Sequence, residues 1–219
     1  MMIRYIPADP AGNLTAIVLS PVAAQDRAKI AAEMMARCPE GFEQVGFADE
    51  TSLTGDLPTL CMMGGEFCGN ATRAFACYAA KVRGQGETRL AISVSGAREP
   101  VPVAVDLRQN RAYAQMPLPY ALEWISVNKQ KIPLVRMEGI DHALLLDAAP
   151  SPEAAERVLA AMPKQDARGV LFVQGGKMTP LVEVAATGTR VWESSCGSGT
   201  VALAWYLAQN LADGMHAFA

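Results

Sequence analysis

The chain has 219 residues, with 19 Lys and Arg against 22 Asp and Glu, a net charge of −3. Hydrophobic residues make up 51% and charged residues 19%, which supports a packed core and excludes a disordered chain. No basic patch points to nucleic acid or an anionic membrane, no apolar run reaches the roughly 18 residues of a membrane-spanning helix, and Met1–Tyr5 lacks a signal-peptide pattern. A cytoplasmic protein without nucleic-acid or membrane partners is expected.

Short strands are predicted at Ile3–Tyr5 and Thr15–Leu19, around the turn Asp9–Asn13. Apolar spacing predicts a helix from about Gln25 to Arg37, and Cys38-Pro39 ends it because the residue before proline disfavours helical angles. Gln44–Phe47 reads as a strand. Leu60–Met63 is apolar, with Met62 and Met63 assigned to the core, and runs into Gly64-Gly65-Glu66-Phe67-Cys68-Gly69-Asn70. A strongly apolar helix follows from about Ala71 to Val82, stopped near Arg83-Gly84. Leu90–Val94, Val101–Leu107 and Arg111–Met116 read as strands, as does Ala143–Leu146. Ser151-Pro152 opens a helix that reaches about Met162. Strands at Gly169–Val173 and Leu181–Ala185 precede Cys196-Gly197-Ser198-Gly199, which opens a second apolar helix, Thr200–Leu211.

Five cysteines are an odd number, and none forms a Cys-x-x-Cys pair, so a disulfide scaffold and a zinc ribbon are both disfavoured. Two histidines, His142 and His216, leave little for a histidine-based metal site. Two of the thiols lie in a repeat. Aligning Cys68–Ala80 with Cys196–Ala208 gives seven identities in thirteen positions, including Cys68/Cys196, Gly69/Gly197, Thr72/Thr200 and Tyr78/Tyr206. Two equivalent halves, each with strands wrapped on one buried helix, account for this most simply. The reading divides the chain at 1–112 and 113–219. Both cysteine helices are apolar nearly all round, so both are expected inside their halves.

Glycine after each cysteine lets backbone approach a ligand, and free amides at a helix start bind a carboxylate. A thiol there faces the positive end of the helix dipole. That interaction, up to about 2 kcal/mol when partly buried, would bring a thiol from about 8.5 towards 7. Two such groups facing each other across a cleft can exchange the proton on a stereocentre, one removing it and the other delivering one to the opposite face. No dinucleotide or phosphate loop is present; Gly84-Gln85-Gly86 and Gly175-Gly176 are too weak to count.

At Gly12-Asn13, Glu43–Phe47, Gly65–Thr72 and Trp192–Thr200 the sequence resembles the diaminopimelate epimerase-like family of cofactor-independent amino-acid racemases and epimerases, and within it the histidine racemases of staphylopine-type metallophore biosynthesis. The resemblance implies an α/β (α+β) fold of two pseudo-symmetric halves, each a β-barrel or sheet around a central helix. It implies Cys68 and Cys196 as the acid–base pair. It also implies Asn13, Gly69, Asn70, Gly197 and Ser198 around the substrate carboxylate, Glu43 and Gln44 on the substrate wall, Glu193 near the second thiol and His142 at the cleft. It calls for no cofactor and no metal, only a small amino-acid substrate, and is compatible with a homodimer.

Diaminopimelate epimerases carry a Glu-Arg pair and a Gly-Glu-Thr stretch ahead of the second cysteine, where the arginine serves the distal carboxylate. Here Arg190–Ser195 fills that region, which favours a substrate side chain without a second carboxylate, with histidine leading. Diaminopimelate, proline or hydroxyproline epimerisation on the same scaffold remain alternatives, as do a thiol redox protein and a non-catalytic carboxylate-binding module. Family chains usually continue past the second helix with further strands, so the second half, ending at Ala219, is expected to be cut short or to close differently.

Overall fold

The computed structural model describes residues 2–209. They form two open sheets with helices packed against them, a mixed α+β fold. The first sheet holds β1 (Tyr5–Ala8), β2 (Thr15–Val18), β3 (Gln44–Asp49), β4 (Thr59–Met62), β5 (Glu87–Val94), β6 (Val101–Asp106) and β7 (Arg111–Ala114), in that spatial order. The second runs β13 (Thr189–Trp192), β12 (Lys177–Val184), β11 (Ala167–Gln174), β10 (Ile140–Leu146), β9 (Gln130–Arg136), β8 (Ala121–Val127). The helices are α1 (Ala24–Arg37), α2 (Gly69–Val82), α3 (Pro152–Ala161) and α4 (Gly197–Ala208).

The duplication read from the cysteines reappears in the pairing pattern. In the first half β1 pairs antiparallel with β2, β2 crosses through α1 to a parallel β3, β3 turns back on β4, and α2 follows. In the second half β9 pairs antiparallel with β10, β10 crosses through α3 to a parallel β11, β11 turns back on β12, and α4 follows after β13. A parallel pair needs a crossover, and a helix supplies it in both halves. The two halves are therefore pseudo-symmetric.

The helices begin as their sequence signals require. Ser151 accepts from the Ala154 amide at the start of α3, with Pro152 in the first turn. Phe75, Ala76, Ala79 and Ala80 bury one face of α2 against Ile92, Val103 and Val105. Ile140, Val182, Val184 and Cys196 share a core cluster with Ala16, Val18, Val45 and Phe47, which joins the two halves. Gly96 has φ +74, and a Cβ there would lie 2.2 Å from the Phe67 amide nitrogen. Only glycine allows the end of β5 to pass this close beneath the loop that carries Cys68.

Several expectations need correction. The first strand lies at Tyr5–Ala8 rather than Ile3–Tyr5. Strands β8, β9 and β13 carried too little signal to be predicted. Pro133 interrupts the apolar run of β9. It faces Trp124 on β8 and lies just before the residues that pair with β10. The β8–β9 hairpin closes through Asn128 and Lys129, both at positive φ, and the β11–β12 hairpin through Gly175-Gly176. Helix α4 is not buried all round. Only Ser198, Gly199 and Ala202 are buried on it, and Leu207 is 40% exposed. Strands β5–β7 cover α2, and no strands follow α4 among the described residues. Leu211, the expected end of that helix, lies outside the described residues, as does His216.

Candidate active site

Cys68 is the N-cap of α2 and Cys196 the N-cap of α4, so each thiol stands at a helix start whose first residue is glycine. Both line one cavity of about 30 Å³ between the two halves. Of the residues singled out from sequence, Asn13, Glu43, Gln44, Gly69, Asn70, Glu193, Gly197 and Ser198 also line it.

A chain of hydrogen bonds starts at the first thiol. The Cys68 thiol donates to Gln44 Oε1 at 2.8 Å, and the Ala71 amide donates to its sulfur at 3.4 Å. Gln44 Nε2 donates to Asn13 Oδ1 and, at 2.7 Å, to Thr15 Oγ1. Asn13 Nδ2 donates to Glu43 Oε2 at 2.6 Å. The chain then crosses between halves: Asn70 Nδ2 donates to Asn13 Oδ1 at 3.1 Å and to Ser195 Oγ at 3.1 Å, and Ser194 Oγ donates to Glu43 Oε1 at 3.0 Å. Asn13, Thr15, Gln44 and Asn70 are all buried, so these bonds supply the partners that such groups require.

The second thiol has different company. Cys196 Sγ lies 3.5 Å from Ser198 Oγ, and Ser198 Oγ lies 2.9 Å from His142 Nε2. His142 does not line the cavity. It is fully buried behind Ser198 on β10, and its Nδ1 has no partner. Burial holds its imidazole neutral, down to about 3. An unpaired ring nitrogen costs less as a bare acceptor than as a buried N–H, which favours the proton on Nε2. Ser198 then accepts from His142 and points its own hydrogen at Cys196.

Burial overturns the expected low thiol pKa. It pushes Cys68 up to about 12, with the Glu193 carboxylate adding to the effect. Cys196 is also raised well above its usual value, for the same two reasons. The helix starts act in the opposite sense: the Ala71 amide lowers Cys68 and the Gly199 amide lowers Cys196, but desolvation is larger. Both sulfurs are therefore neutral thiols near pH 7. Two carboxyls on the cavity wall are raised towards neutrality by burial, Glu193 to about 8 and Glu66 to about 7.

Glu66 was not anticipated. It is 5% exposed, lines the cavity and accepts the Gly64 amide at 2.8 Å. Its place two residues before Cys68, in an otherwise apolar stretch, was the available signal. Met63, expected in the core, is buried and also forms part of the wall. Among the described residues, three carboxyls and no lysine or arginine line this cavity. Arg190, which occupies the region where diaminopimelate epimerases keep their carboxylate-binding arginine, is bonded to Glu183 at 2.7 Å and to Glu156.

Solved structures share this fold. A probable proline racemase from Agrobacterium radiobacter, solved with bound carbonate, aligns with a TM-score of 0.65 at 14% identity, covering 97% of this chain and 79% of that one. A hydroxyproline epimerase from Agrobacterium vitis, solved with bound trans-4-hydroxy-L-proline, aligns at 0.63 and 12%, covering 99% and 80%. The fold and the sequence relationships together define an amino-acid racemase or epimerase, an isomerase. The chain belongs to the histidine racemase CntK N-terminal domain family, whose model matches residues 2–217. A histidine racemase of Fusobacterium nucleatum subsp. nucleatum is 31% identical over 221 residues, spanning 94% of this chain and 81% of that relative. Among the described residues no helix is long and apolar enough to cross a membrane.

Proposed function

We propose that the chain inverts the Cα of free histidine by two-thiol acid–base chemistry, without a cofactor. The observation that carries this reading is the pair of N-capping thiols on one cavity whose ionisable wall groups are otherwise all carboxyls. One sulfur, as thiolate, takes the Cα proton; the other, as thiol, delivers its proton to the opposite face. The enzyme ends with the two sulfurs exchanged in role, and no electrons leave the pair. The amides of Gly69, Asn70, Gly197 and Ser198 at the helix starts would hold the α-carboxylate and the charge that builds on it as Cα is deprotonated.

Neutral thiols must lose a proton before the reaction. Glu193 is the carboxyl beside Cys196; burial raises it to about 8, so its deprotonated form, which can accept the thiol proton, gains population as pH rises through about 8. Glu43, Glu66 and Glu193 offer carboxyl oxygens to an α-ammonium and an imidazole ring, and among the described residues no lysine or arginine lines the cavity to meet a distal carboxylate. The related histidine racemases support histidine in particular. Thiols working this way need a reducing compartment, which agrees with a cytoplasmic protein.

Chiral chromatography of free amino acids incubated with the reduced protein tests the reading. Histidine should racemise, with proline, hydroxyproline and diaminopimelate slower by 100-fold or more (an order-of-magnitude expectation for an unpaired polar group in a fitted pocket). Cys68→Ser and Cys196→Ser should each abolish the conversion. Unchanged histidine with folded wild-type protein would reject the proposal.

A further inference from the structure

The two glycines that follow the cysteines share one neighbour. A Cβ built on Gly69 would lie 2.7 Å from the sulfur of Met116 and 3.0 Å from its methyl carbon. A Cβ on Gly197 would lie 3.5 Å from that methyl and 3.9 Å from that sulfur. Met116 therefore packs tightly against the first residue of α2 and lies beside the first residue of α4. It does not line the cavity; the glycines stand between it and the space that the thiols face.

Its backbone is stiff. Met116 precedes Pro117, and Pro119 follows two residues later, which restricts the segment to extended conformations. The segment is tied at both ends. The Gln115 amide donates to Pro102 on β6 at 2.9 Å, and the Tyr120 amide donates to Arg136 on β9 at 3.0 Å. The side chain is half-buried and packs on the core beneath α2. A short strut fixed to both sheets thus inserts one thioether between two helix ends.

We infer that Met116 is a positioning residue: its side chain wedges the starts of α2 and α4 apart and so sets the separation of Cys68 and Cys196. The absence of Cβ at Gly69 provides the seat for the wedge, and Gly197 flanks it at van der Waals distance. A large unbranched side chain in this place fills the gap between two helix ends that are not perfectly matched. Proton transfer depends steeply on placement, with about 1 Å of error costing up to about 100-fold. The inference rests on the two-thiol reading of the site, because only there does sulfur separation matter to turnover.

The test uses the full chain with Met116→Ala, Met116→Leu and Met116→Val. Two quantities are measured: kcat and KM for histidine racemisation, and the rate at which diamide joins Cys68 to Cys196, followed by peptide mass mapping. With the wedge removed the helix starts can close on one another. M116A is expected to form the disulfide at least about threefold faster than wild type and to lose roughly tenfold in kcat at nearly unchanged KM. M116L should restore both. M116V, too short to reach Gly197, takes the place of M116A if that variant does not fold. A disulfide rate in folded M116A equal to or below wild type overturns the wedge whatever the activity does. If wild type itself fails to racemise histidine, the functional reading fails, and the disulfide rate still decides the role of Met116.

Discussion

Cys68 and Cys196 cap their helices with the same backbone, φ −133° and ψ 111° in one, φ −132° and ψ 106° in the other. Identical local geometry points two thiols into one cavity from duplicated elements. Their partners differ, however. Cys68 donates to the neutral amide of Gln44, whereas Cys196 sits against a serine hydroxyl and the Glu193 carboxyl. The duplication supplies two sulfurs on one cavity, and the surrounding side chains make them chemically unequal.

The bond from Cys68 to Gln44 is one link of a buried polar chain through Asn13 and Asn70. Gln44→Leu removes the acceptor for the thiol and leaves Asn13 Oδ1 and Thr15 Oγ1 without that donor. One or two such losses amount to about 1–3 kcal/mol each. We expect kcat to fall by roughly 10- to 100-fold with the protein still folded, read from progress curves in both directions. Wild-type kinetics would show that this chain does not orient Cys68.

Glu66 links stability to pH. Burial raises its carboxyl from the usual 4.5 to about 7, so the folded protein keeps a proton there that the unfolded chain has lost. The contribution is fully present below about pH 4.5 and disappears as pH rises through about 7. Over that interval it amounts to about 3 kcal/mol at most. Glu66→Gln is neutral throughout and should lack this decline. Urea unfolding of both proteins at pH 5 and pH 8 measures the difference, and parallel pH dependences would contradict it.

Much of this site was legible because the repeat is chemical as well as structural. Cys-Gly at two helix starts marked the two thiols that line the cavity, and Asn13, Gln44 and Asn70 entered through the resembling motifs. Glu66 escaped because its one local cue, an acidic residue in an apolar stretch two residues before Cys68, does not by itself separate a buried carboxyl from a solvated one. The thiol pKa was misjudged for a related reason. The helix dipole can be read from sequence, but the depth of burial that outweighs it depends on how two distant halves close. His142 was placed at the cleft, yet it lies one side chain further back, against Ser198. In the fold, β9 was obscured by Pro133, and exposure along α4 depended on what packs beside it.

Glu183 ties β11, β12 and β13 together beneath the site. It is 8% exposed and takes hydrogen bonds from Arg168 and Arg190, which hold its carboxyl below the usual range against the effect of burial. Glu183→Gln leaves the Arg168 guanidinium poorly matched. The expected cost is about 2–3 kcal/mol of stability, seen as a lower urea midpoint at unchanged slope. A midpoint within error of wild type would show that the network is dispensable.

The opposed-thiol account stands most directly on the fate of the Cα hydrogen. L-histidine incubated with reduced protein in heavy water, followed by proton magnetic resonance and chiral separation, should give D-histidine carrying deuterium at Cα, and the reverse reaction should label L-histidine in the same way. Cys68→Ser and Cys196→Ser should each block formation of the labelled opposite enantiomer. D-histidine that retains the original hydrogen, or full labelling and inversion in either variant, would contradict the two-sulfur mechanism.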